Sequence, residues 1–190
     1  MIGSGALGRT APWAIVPEEV VGALAEELKG EADEVRAVVD RGMEKLDRDQ
    51  PTLSGYVSSC LQHIEDETAL ALGHFLSVAT FLAFDRAFAG RLRAVDDDAL
   101  HAAREALVTE SELQEKEPHL RLSAAASVAT LQPHVAALVD RHLSAAVEAE
   151  EDAPSEEALG VVFGTVLVIV VALTHCVGAP EGRLAERRPS

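Results

Sequence analysis

The chain has 190 residues, enough for one domain that buries a core without disulfides or a metal. Its formal net charge is −16, which disfavours a phosphate backbone as a partner, and its single Trp and single Tyr leave little surface for stacking bases. Ala, Leu and Glu are abundant and strand-type aromatic and β-branched alternation is lacking, so the expected fold is all-α: a compact bundle of about seven or eight helices. Two distant cysteines, Cys60 and Cys176, form no disulfide framework, and the N-terminus lacks a signal-peptide pattern. Both features point to the cytoplasm.

Residues 1–16 are Gly-rich and without helical periodicity, and are expected to form a flexible N-terminal arm. Gly3, Gly5 and Gly8 have the spacing of a dinucleotide fingerprint. That fingerprint requires a strand before it and a helix after it. Only Met1 and Ile2 precede it, Pro12 and Pro17 interrupt the helix it would need, and no cofactor is expected. A helical-bundle domain then covers residues 17–178, and residues 179–190 form a flexible tail.

Within the domain, Pro17 suits a first helical turn with Glu18 and Glu19 behind it, and Gly30 ends that helix. Val35, Val38, Val39, Gly42 and Leu46 line one face of a second helix, over residues 31–46. Residues 53–92 are too long for one ordinary helix and predict a bend, or two helices, near Asp66–Thr68. The second half of this stretch, from Ala69 to Phe88, is apolar almost all round and holds four of the five Phe residues, which marks it as core.

An aspartate among Asp96, Asp97 and Asp98 caps the next helix, which runs to Val108. Thr109 and Glu112 have capping-box spacing for a further short helix ending at Pro118. Residues 122–131 and 134–147 read as two helices divided by Pro133. An acidic connector, 148–157, leads to Ser155 as the cap of a final helix over residues 156–177. No repeat of fixed period is visible.

Residues 158–178 carry no charge apart from His175 and are long enough to cross a bilayer. Spanning would place the large acidic domain across the membrane without a signal, so a buried apolar C-terminal helix is the preferred reading. Gly160, Gly164, Val171 and His175 share a narrow arc, a flat face for a neighbouring helix or a homodimer.

The best polar arrangement for chemistry is His63, Glu67 and His74, with Asp85 on the same helical stripe. Imidazole and carboxylate at such spacing suit iron, manganese or zinc. The Glu-x-x-His pairs of carboxylate-bridged bundles are missing, and Asp98-x-x-His101 is the nearest substitute. Cys60, His63, His175 and Cys176 form a second possible ligand set. His142 sits on an apolar stripe with Val135 and Val139, as a core or interface histidine does. No nucleophile or phosphate-loop motif is present.

The expectation from these residues is a non-catalytic, acidic protein-interaction domain, an adaptor, regulator or inhibitor of a basic protein partner. The alternatives are a metal-dependent helical-bundle enzyme using His63, Glu67 and His74, and a membrane-anchored protein held by residues 158–178.

Overall fold

The computed structural model describes residues 10–116, 124–149 and 153–180. Among them are eight α-helices and no strand: α1 (Glu18–Glu27), α2 (Ala32–Asp49), α3 (Pro51–Leu61), α4 (Glu67–Ala87), α5 (Asp97–Lys116), α6 (Ala124–Leu131), α7 (Pro133–Val147) and α8 (Glu156–Cys176). The fold is an all-α bundle.

The local signals act largely as their chemistry dictates. Ser155 caps α8 by accepting from Ala158 N (3.2 Å), and Asp96 caps α5 by accepting from Ala99 N (2.8 Å). Pro51 and Pro133 each open a helix at its first turn, where the missing N–H costs nothing. Asp66 caps α4 through Ala69 N (2.9 Å), so the long apolar stretch is two helices parted by residues 62–66.

The centre of the bundle is the pair α4 and α8, each 21 residues long and packed more extensively on each other than any other two helices. Phe81, Phe84 and Leu76 of α4 are fully buried, as are Ile169 and Leu173 of α8. The apolar C-terminal helix is therefore a buried core element. By length and composition both helices could cross a membrane, but 61% of each apolar window is buried inside the bundle. Two glycines permit the close approaches. A Cβ on Gly42 would collide with Val78 Cγ1, and one on Gly73 would lie 2.9 Å from Leu61 Cδ2 and 3.2 Å from Val162 Cγ2.

Two buried glutamines tie loops to this centre. Each immediately precedes the proline that opens a helix. Gln132 accepts from Val16 N (2.9 Å) and donates to Ala14 O (2.7 Å) and Thr174 Oγ1 (3.1 Å). Gln50 accepts from Val95 N (2.7 Å) and donates to Arg93 O (3.2 Å).

The structure departs from the sequence expectations in three places. Residues 10–16 are not a free arm: Pro12–Ala14 form a 3-10 turn, Ala14 and Val16 are buried, and Gln132 satisfies their backbone. Residues 1–9, and the tail from residue 181 onward, lie outside the described residues. Thr109 does not start a new helix, because α5 continues through it to Lys116. The inward face that carries Ala103 and Leu107 is prolonged by Glu110, buried where it accepts from Ser127 Oγ of α6 (2.7 Å). Finally, of Gly160, Gly164, Val171 and His175, Val171 alone is fully buried while the other three are exposed, so the four do not form one surface.

Candidate functional site

The residues expected to ligate a metal are spread over different elements. His63 is exposed in the turn after α3, Glu67 is exposed in the first turn of α4, and His74 is half-buried two turns further on. The helix break at 62–66 takes His63 off the stripe that Glu67, His74 and Asp85 keep along α4. Asp85, the fourth member of that stripe, is held by Lys45 Nζ at 2.7 Å, which also binds Asp49 at 2.6 Å. Those two carboxylates hold the Lys45 ammonium above its ordinary pKa.

Cys176 is buried, with its thiol pushed up by desolvation, and its neighbour His175 points outward. Among the described residues no three His, Cys, Asp or Glu side chains group as a metal would need. His142 meets Phe75 of α4 edge-on, with ring centroids 4.8 Å apart and planes at 68°. Burial first, and Arg141 second, lower its pKa from the usual imidazole range. That geometry is the packing role expected of a histidine on an apolar stripe.

Two depressions are open to solvent. One, of about 140 Å³, lies between α1, α2 and α4 and is lined by Glu27, Arg41, Gly42, Lys45, Leu82 and Arg86. Several of its charged walls bind one another: Arg86 makes a two-pronged contact to Glu27 at 2.8 and 2.9 Å, and Lys45 lies 5.7 Å over Phe81. The other, of about 430 Å³, is a broad groove on α5 bordered by His101, Arg104, Glu105, Val108 and Thr109. Neither has the enclosed apolar walls that bury most of a small ligand.

The most distinctive surface lies where α4 and α8 begin. Asp66 caps α4 with Oδ1 and with Oδ2 accepts from Ser155 N, the cap residue of α8, at 2.9 Å. One carboxylate thus draws two helix N-termini together, and these backbone donors hold its pKa below the usual carboxylate value. Glu65, Glu67, Glu156 and Glu157 surround this junction, all exposed. No Lys or Arg occurs between Arg48 and Arg86, or between Arg141 and Arg183. The pole therefore lacks basic residues of its own segments. The sequence identifies Ser155 as a cap and shows the acidic run before it. Asp66 as the second half of the junction leaves no sequence signal, because the bond joins residues 89 positions apart.

The chain matches no protein-family model, no curated protein and no solved structure.

Proposed function

We propose that this protein is a non-catalytic interaction domain that docks a basic protein through the acidic pole at the start of α4 and α8. The observation that carries the reading is the gathering of Glu65, Asp66, Glu67, Glu156 and Glu157 around one inter-helix bond, in two segments free of Lys and Arg. The supporting chemistry is elementary. Exposed like charges on a rigid base raise the local potential and steer a cationic face toward it. The helix N-termini beneath favour negative charge at this place, and their backbone donors hold the Asp66 carboxyl below its usual pKa. The open form of both depressions also favours a flat protein partner over a small molecule.

The test uses full-length protein and lysozyme as a cationic probe, titrated calorimetrically at low salt. Binding is expected, weakening as the ionic strength rises and the Debye length shrinks to about 10 Å near 0.1 M. Reversing Glu65, Glu67, Glu156 and Glu157 to Lys should abolish it. The same number of reversals on the outer face of α2 (Asp33, Glu34, Asp40, Glu44) should weaken it far less. Equal losses from both sets would reduce the effect to net charge and remove the pole as a site.

A further inference from the structure

The two halves of the chain share one order of elements. Each starts with a short connecting segment, Ala14–Val16 or Arg93–Val95, whose first carbonyl and last N–H are both bound by a glutamine side chain. Four helices follow in each half: α1 to α4 and α5 to α8. In each, the glutamine ends the connection into the third helix and is followed by proline, and the fourth helix is 21 residues long with a side-chain cap.

Equivalent positions also agree in burial. Leu24 matches Ala103, Leu28 matches Leu107, Leu53 matches Val135, Val57 matches Val139 and Phe84 matches Leu173, every one of them buried. The separation between equivalents lengthens along the chain, from Val16 and Val95 through Gln50 and Gln132 to Glu67 and Glu156.

The halves are also interlocked reciprocally. Gln50 of the first half holds the segment that enters α5, and Gln132 of the second holds the segment that enters α1. Helix α3 packs on α8 as α7 packs on α4. Helix α1 reaches α7, and α5 reaches back to α3 through Arg104 over the Tyr56 ring. Gly73 of α4 faces Val162 of α8, its own equivalent, as a residue on a two-fold axis must. Contacts of this kind, in which i meets j and j meets i, define an isologous dimer interface.

We infer that the chain is a fused two-fold dimer of two four-helix units, and that the face each unit shows the other fits the complementary unit of a second copy of this chain. What directs α5 to α8 back onto their own α1 to α4 is the turn after α4. There Gly90 has φ +78°, and Arg91 N and Leu92 N both donate to Phe88 O (2.8 and 3.0 Å). Opening that turn separates the units in their own chain and leaves each half able to complete a second chain, which is reciprocal exchange.

The test is Gly90→Pro in the full-length protein, because proline cannot adopt a positive φ. The expected result is a dimer by light scattering with the helix content of the parent. Co-refolding two variants of different tag mass should give hybrid dimers at about the one-half share of random pairing. Gly90→Ala, which strains the turn without excluding it, should stay mostly monomeric. A folded Gly90→Pro monomer at all concentrations would overturn the inference.

Should Gly90→Pro fail to fold, a protease site inserted at Gly90 of the full chain and cut after folding gives the second readout. The inference requires both pieces to stay together and to recover helix content after urea at a rate that rises with concentration. Pieces that separate in buffer, or that refold at a concentration-independent rate, would overturn it.

Discussion

Helices α4 and α8 run the same length at the centre of the same bundle, yet they fill that centre with different chemistry. Four phenylalanines lie in or just after α4, of which Phe81, Phe84 and Phe88 are buried. In α8 there is one Phe, half-exposed, and the buried positions are mostly Val, Ile and Leu. Valine and isoleucine lose side-chain freedom in a helix. The run Val168-Ile169-Val170-Val171 is therefore a poor helix by propensity and is helical because its neighbours bury it. The contrast teaches that one backbone path can be filled by a few large rings or by many small branched groups. It also shows that the second solution depends more on tertiary contact.

The largest test of that contrast is truncation at equivalent depths. Phe84→Ala should cost about 3–5 kcal/mol and Leu173→Ala about 2–5 kcal/mol, read from urea unfolding. If Leu173→Ala cost clearly more than Phe84→Ala, the aromatic helix would not be the better anchored of the two. Next come the glutamines. Gln132→Ala strands Val16 N and Ala14 O in a fully buried place, at about 1–3 kcal/mol for each unmet group. Gln50→Ala should cost less, since its bond to Arg93 O is longer and partly exposed. Equal costs would mean the two clasps are energetically equivalent.

At the helix starts, Ser155→Ala should cost about 1 kcal/mol through loss of the α8 cap, measured by thermal unfolding. Its partner Asp66 adds a pH signature. Its pKa is lowered in the folded protein, so its contribution is complete above the unfolded carboxylate value of 3.8 and is lost as pH falls through the lower folded value. Asp66→Asn should flatten the stability profile below pH 4, roughly the unfolded carboxylate value. A profile that stays unchanged would remove Asp66 from the junction.

The smallest effect concerns His142, whose folded pKa lies below the unfolded value because it is partly desolvated. The unfolded chain then takes up the proton first. Stability should fall as pH drops below about 6.5 and level off beneath the folded value. His142→Gln should reduce that slope in a urea midpoint series, leaving the share of His175, which burial also holds low, and the Asp66 slope in place.

Much of the architecture was legible in the residues. The period of Val35, Val38, Val39 and Leu46, the prolines at 51 and 133, and the cap at Ser155 each act within a few positions of themselves. The capping-box spacing at Thr109 misled because a local motif competes with the inward face of the helix it interrupts, and Glu110 on Ser127 kept that face continuous. His63 was separated from Glu67 and His74 at the break that the length of residues 53–92 already predicted, where Asp66 uses its carboxylate to start α4. The inferred duplication leaves no fixed period in the sequence, because the spacing between equivalents lengthens along the chain and few equivalent residues are identical.

By itself the sequence determined that this chain is helical, acidic and built around two apolar helices. Those properties follow from propensity, charge and periodicity, which act locally. Only the tertiary structure decided that Ala14 and Val16 belong to the core, that two remote helix starts share one carboxylate, and that each half clasps the other through a glutamine. Each of these rests on hydrogen bonds between residues far apart in the chain, and nothing local in a sequence specifies which buried donor will meet which acceptor.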